Sequence, residues 1–252
     1  MTLEKITREL VRELTRLRFS NPVACVYNPL VYARRPYAEY LRLYGRGPRD
    51  VLFVGMNPGP FGMAQTGIPF GEVTFARDWL RVAGPVNPPA RQHPKRPILG
   101  FDCRRSEVSG RRLWGWARDR FQTPKRFFRR FFITNYCPLC FVDAGGRNIT
   151  PDKLPPRQRE PLLAVCDKAL RRTVDYFQPS TVVGIGAFAE ARAKVALDGA
   201  DVRIGRILHP SPASPVANRD WAQQATAQLR TLGIHILRNH ADGLQSAGFS
   251  GG

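Results

Sequence analysis

Residues 51–62 read Val51-Leu52-Phe53-Val54-Gly55-Met56-Asn57-Pro58-Gly59-Pro60-Phe61-Gly62, and the two parts of this stretch have opposite character. The first four residues are apolar and rich in β-formers, the composition of a strand covered on both faces. The following eight hold three glycines and two prolines. Proline fixes φ and glycine admits close backbone approach, so the chain leaves the strand through a rigid turn. A strand that empties into such a turn opens an α/β unit, and ligands of open parallel sheets sit beyond the carboxyl ends of the strands.

Moving outward in both directions, the pattern repeats. Residues 131–134, 181–185 and 202–208 read as further strands. Helical spacing covers 35–44, 72–82, 111–121, 124–130, 156–177, 188–197 and 220–232. Near the start, Leu3, Ile6, Leu10, Leu14 and Leu17 lie on one face of an amphipathic helix. Residues 25–32 form a short apolar stretch broken by Pro29, and 84–97 a Pro-rich loop. Residues 135–155 read as loop, through Gly145, Gly146 and Pro151. The alternation predicts one α/β domain over residues 1–238, with a central, mostly parallel four-stranded sheet flanked by helices. Residues 239–252, rich in Gly and Ser, are expected to be a disordered tail. No internal repeat or dividing linker interrupts the domain.

Charge narrows the partner. Thirty-nine Lys and Arg against 20 Asp and Glu give a formal net charge of +19, which favours a polyanion such as nucleic acid. Residues 91–130 hold 13 basic against three acidic residues. Phe101, Trp114, Trp116, Phe121, Phe127 and Phe128 are interleaved there, either for base stacking or as core anchors beneath a basic face. No apolar run approaches the ~18 residues of a membrane span. Glu4, Glu9 and Glu13 in the first helix argue against a mitochondrial presequence, and no signal peptide is evident. Five cysteines (Cys25, Cys103, Cys137, Cys140 and Cys166) are few and odd in number, which fits a reducing compartment. Cys137-Pro-Leu-Cys140 lacks the second pair that zinc wants, and the rest lack the grouping of an iron–sulfur site.

Three polar residues follow predicted strands: Asn57 after the first, Asn135 after the second and His209 after the fourth. Each alone reads as a turn former or a satisfied surface residue; delivered together to one sheet edge they mark a candidate site. A competing pattern, Gly184-Ile-Gly-Ala-Phe-Ala189, fits a dinucleotide fingerprint. The next strand ends in His209 rather than in an acidic ribose ligand, so the small residues read better as close helix–strand packing.

GMNPGPFGMAQTGIPFGEV, residues 55–73, resembles the signature of the single-strand-selective monofunctional uracil-DNA glycosylases, a branch of the uracil-DNA glycosylase superfamily. YNPLVYA (27–33), NYCPLCF (135–141), GRNITP (146–151), KLPPRQREPLLAVCD (153–167) and HPSP (209–212) extend the similarity, in order, over residues 10 to 232. The resemblance implies that superfamily's three-layer fold. It also implies a monomeric enzyme of base excision repair that flips uracil, or a C5-modified uracil such as 5-hydroxymethyluracil, out of single- or double-stranded DNA. Hydrolysis of the N-glycosidic bond would leave an abasic site. Asn57 would position the attacking water, Asn135 would read the Watson–Crick edge, and Phe70 would stack on the base. His209 would hydrogen-bond O2, where charge collects, and Met56, Gly59 and Met63 would line the pocket near C5. An amide at position 57 is hardly basic, so the enzyme should be slower than one with Asp there.

Pro210, Ser211, Pro212, Ala213 and Ser214 would meet the DNA. Vertebrate members of the family carry Arg in this loop. Ala213 leaves no long side chain to plug the duplex, and Arg219 is the nearby candidate to replace it. No lysine in the matching motifs is placed to attack C1′, and neither metal nor cofactor is expected. The alternatives are a mismatch-directed uracil/thymine or hypoxanthine glycosylase, from which Met56 and the long first motif point away, and a non-catalytic nucleic-acid-binding module. Such an enzyme fits a bacterial cytoplasm, beside the nucleoid, or a eukaryotic nucleus.

Overall fold

Thr2 begins the first helix: its hydroxyl accepts from the Lys5 N–H at 3.3 Å, and α1 (Leu3–Arg16) buries Leu3, Ile6 and Leu14. The structure, a computed structural model, describes residues 1–236; the expected tail at 239–252 lies outside the described residues. Along the chain follow β1 (Val23–Tyr27), α2 (Pro29–Tyr32), α3 (Arg34–Tyr44), β2 (Val51–Gly55), α4 (Met63–Thr66), α5 (Val108–Phe121) and α6 (Pro124–Phe128). The second half adds β3 (Phe131–Asn135), β4 (Cys140–Asp143), β5 (Asn148–Ile149), α7 (Pro156–Phe177), β6 (Thr181–Ile185), α8 (Ala187–Ala196), β7 (Arg203–Ile207) and α9 (Pro215–Thr231). No helix among the described residues is long and apolar enough to cross a membrane.

The expected sheet forms: β3, β2, β6 and β7 lie in that order, all parallel. Strands β2 and β6 are buried at every position, which explains their uninterrupted apolar sequences. Strand β7 is an edge, and its exposed Arg203 and Arg206 blunt it. Successive strands leave β2 first to one side and then to the other, so right-handed crossovers put helices on opposite faces. Helices α1, α7 and α8 pack as one layer, and α5 with α6 and α9 as the other. Lys168 reaches Glu13 at 2.8 Å and Arg172 pairs with Glu9, joining α7 to α1. The Trp116 indole N–H donates to Thr226 Oγ1 at 3.0 Å, joining α5 to α9. Reversal of strand order at β2 puts the switch point beside Gly55, which pairs in register with Asn135.

Three regions differ from expectation. Residues 25–32 and 135–155 contribute a second, antiparallel sheet of order β1-β4-β5. Its strands are short and two of them pair across more than a hundred residues, so neither shows a period of its own. Helical spacing over 72–82 yields a shorter helix over residues 73–79, which widens to a π-helix at Phe75–Trp79, closed by Leu80 N–H to Phe75 O at 2.9 Å. Positive φ at Phe70 and Arg81 brackets it. The last helix begins at Pro215 rather than 220, with Asp220 out of helical conformation inside it. Asp220 Oδ1 accepts from the Gln223 N–H at 3.0 Å, capping the second segment.

Most aromatics of the basic stretch are core. Trp114, Trp116, Phe121, Phe127 and Phe128 are buried, with Phe127 stacked on Phe131 of the sheet. A Cβ on Gly184 would stand 2.3 Å from the Glu190 amide nitrogen, so the small-residue turn is the close helix–strand contact that its context indicated. All five cysteines are free and buried.

Candidate active site

A cavity of about 530 Å³ opens at the carboxyl edge of the parallel sheet. Met56, Asn57, Gly59, Phe70, Asn135, His209, Ser211 and Pro212 all line it. The three polar residues expected at the strand ends therefore share one space.

Each is held by its surroundings. Asn57 lines the cavity and donates through Nδ2 to Leu139 O at 3.2 Å, a bond that does not use the acceptor capacity of its Oδ1. Asn135 ends β3 with Nδ2 3.2 Å from Met63 Sδ, and its Oδ1 is buried without a partner among the described residues. Leaving such an acceptor unmet costs about 1–3 kcal/mol. Gly55 permits the convergence, because a Cβ there would lie 2.3 Å from Asn135 Oδ1 and 2.6 Å from the Phe70 ring.

Phe70 has φ of 54°, a left-handed conformation costly for a bulky residue. Its surroundings impose it. The Glu72 N–H donates to Phe70 O at 2.7 Å, and Gly110 of α5 lets that carbonyl approach to where a Cβ would be only 2.1 Å away. Thr66 Oγ1 donates to Gly71 O at 2.9 Å. Buried Gln65 staples the preceding loop, donating to Pro60 O and Pro97 O and accepting from the Leu99 and Gly100 N–H groups.

His209 follows β7, its ring centroid 6.2 Å from that of Phe70. Gly186, with φ of 96°, accommodates it: a Cβ there would stand 3.1 Å from His209 Cβ. Helix α9 fixes the residue before it, Trp221 Nε1–H donating to Leu208 O and Gln228 Oε1 accepting from Leu208 N–H, both at 2.7 Å. Burial lowers the imidazole pKa to about 4. The ring is thus neutral at pH 7 and offers one donor and one acceptor.

Other expected residues stand outside the cavity lining. Met63 lies buried behind Asn135. Pro210 is buried and its carbonyl accepts from Arg112. Ser214 caps α9 by accepting from the Ala217 N–H, while Ala213 and Arg219 are exposed. Sequence reasoning missed two lining residues at the mouth, Phe61 and Arg105, whose guanidinium lies 4.1 Å over the Phe61 ring. It also missed Glu107, another lining residue, and Arg112 of α5. Arg112 donates to Pro210 O and Ser211 O at 3.2 and 3.3 Å and to Asn218 Oδ1 at 2.8 Å. An arginine or glutamate among many basic residues carries no signal of such contacts. Among the described residues no cluster of three or more His, Cys, Asp or Glu side chains is arranged to hold a metal ion.

Comparison with known proteins agrees with this architecture. The sequence model described as the Uracil DNA glycosylase superfamily matches residues 44–230. The mouse protein named single-strand selective monofunctional uracil DNA glycosylase is 52% identical over 224 residues, spanning 88% of this chain and 80% of its own length. The bovine protein of the same name is also 52% identical, over 88% of this chain and 82% of its own. Among solved structures, that of wild-type Pedobacter heparinus SMUG2 superposes with a TM-score of 0.63 at 17% identity, covering 91% of this chain and 99% of that one, a likeness of fold.

Proposed function

The chain belongs to the uracil DNA glycosylase superfamily and is a DNA glycosylase, and from that premise we propose that it hydrolyses the N1–C1′ bond of uracil, or of a uracil substituted at C5, in single- or double-stranded DNA. A stacked and paired base is unreachable, so the nucleotide is first extruded at a cost of a few kcal/mol. Phe70 covers one face of the base. Asn135 reads its edge, Nδ2 donating to O4 while the buried Oδ1 accepts from N3–H. Cytosine lacks both features and would leave that oxygen unmet.

As the glycosidic bond breaks, its electron pair passes to the base and charge collects on N1 and O2. Neutral His209 donates to O2, a term worth about 3–4 kcal/mol for one well-placed donor. Asn57 turns its Oδ1 toward the water that attacks C1′. An amide is too weak a base to take the proton, so it positions the water and the proton passes to solvent or a DNA phosphate. Water oxygen bonds to C1′, the departing base takes up a proton, and the abasic strand keeps its backbone. Among the described residues no lysine lines the cavity, which supports hydrolysis over imine formation. The cavity is built by one chain, so a monomer suffices, acting on genomic DNA in base excision repair.

The observation that carries this reading is the shared cavity of Asn57, Phe70, Asn135 and His209, drawn from three separated segments. Oligonucleotides bearing uracil, 5-hydroxymethyluracil, a thymine mismatch or hypoxanthine, single- and double-stranded, test it by alkali cleavage after incubation. Release of uracil and 5-hydroxymethyluracil, with thymine and hypoxanthine spared, is expected. Release of thymine or hypoxanthine alone would move the chain to the mismatch-directed alternative.

A further inference from the structure

Several polar groups that line the cavity have no part in the roles above, Arg105, Ser109, Asn148 and Thr150 among them, and one is an acid. Glu107, the residue preceding α5, lines the cavity and packs its carboxyl against the loop of residues 59–62. A Cβ on Gly59 would lie 2.4 Å from Glu107 Oε1, and one on Gly62 would lie 1.5 Å from Oε2. The two glycines thus leave the carboxyl the space that side chains there would fill. Oε2 is buried with no partner among the described residues. Burial, with the like charge of Glu72 nearby, raises the pKa to about 7, so at neutral pH the group is donor as well as acceptor.

Plain uracil offers this group nothing. Its polar atoms O2, N3–H and O4 are taken by His209 and Asn135, and its remaining edge is C5–H and C6–H. With the base so placed, that edge would turn to the rest of the lining, which includes Met56, Gly59 and Pro60, with Glu107 against Gly59. We propose that Glu107 is a specificity-determining residue whose carboxyl hydrogen-bonds a polar substituent on C5 of the extruded base, directly or through one water. A hydroxymethyl group both donates and accepts, so it satisfies the carboxyl in either protonation state. The assignment rests on the reading that the cavity takes an extruded uracil.

The test compares single-turnover excision of uracil and 5-hydroxymethyluracil from the same single-stranded oligonucleotide. Three full-length proteins are used: wild type, Glu107→Gln and Glu107→Met. Glutamine keeps the shape and both hydrogen-bonding roles, whereas methionine keeps the length and neither. The ratio of the 5-hydroxymethyluracil rate to the uracil rate should fall at least about tenfold in Glu107→Met and stay within about threefold of wild type in Glu107→Gln. Melting curves identify a variant that fails to fold, and the glutamine variant then still decides, since a collapsed ratio there overturns the assignment. Equal losses on both bases in Glu107→Met would reduce Glu107 to support for the loop and sink the proposal, while wild-type uracil excision would still support the reading of the cavity. Wild-type protein that removes uracil but spares 5-hydroxymethyluracil would sink it too. If wild type removed neither base, the reading of the cavity itself would fail.

Discussion

His209 and Glu107 show how burial sets the chemistry of single side chains. With its pKa lowered to about 4, His209 keeps one neutral form, and so one N–H donor, throughout pH 6 to 8, and its contribution should not change over that range. His209→Ala should lower the single-turnover rate about 10²–10³-fold while DNA binding survives; a loss of only a few-fold would remove the anion-stabilising role. The two groups also bear on stability with opposite signs. Unfolded His209 takes up a proton near 6.5 and folded His209 only near 4, so its contribution is lost as pH falls through that window. Folded Glu107 keeps its proton up to about 7 where the unfolded chain releases it near 4.5, so its contribution is lost as pH rises through that window. Glu107→Gln should therefore match wild type at pH 5 and exceed it at pH 8 by about 1–3 kcal/mol, measured by denaturant unfolding. No gain at pH 8 would mean the carboxyl ionises freely in the fold. Asn57, Asn135 and His209 were legible in the sequence because each follows a strand. Glu107 was not, since nothing local distinguishes a carboxyl that will be buried from one that will be solvated.

Elements were readable where their own sequence carries the signal and obscure where a distant partner supplies it. Strands β2 and β6 are continuous apolar runs, and the period of α7 spans its whole length. Strands β1, β4 and β5 find their order only by pairing with one another, and the loop after β7 gets its shape from α5. Arg112 is the bridge there, one guanidinium bonding two carbonyls of residues 210–211 and the amide of Asn218. Arg112→Ala should free the segment that carries His209 toward the DNA and reduce kcat/KM about tenfold, near the 1.5–3 kcal/mol of hydrogen bonds to a charged group. Arg112→Lys keeps the charge but not the fork, and should fall nearly as far. Full activity in the lysine variant would make the residue a phosphate contact rather than a brace for the loop.

At the scale of the molecule the excess of 19 positive charges was plain from composition, but its distribution was not. Several basic residues are spent internally: Arg130 on Asp50, Arg147 on Asp143, Arg172 on Glu9 and Arg192 on Asp167. Arg105 lines the cavity and Arg219 on α9 is exposed, and both are expected to meet DNA phosphates. With no long side chain at exposed Ala213 and phosphate contacts expected from Arg105 and Arg219, affinity should depend steeply on salt. Each phosphate neutralised contributes a slope of about −0.9 on duplex and about −0.7 on single strands in a plot of log K against log salt. About four to six contacts then predict a loss of roughly 10²–10³-fold between 50 and 200 mM salt on duplex, and a shallower loss on single strands. Fluorescence anisotropy on both substrates, with Arg105→Ala and Arg219→Ala each expected to flatten the slope by about one contact, measures it directly. A flat response would mean that the basic surface does not meet the backbone, and that binding rests on the cavity alone.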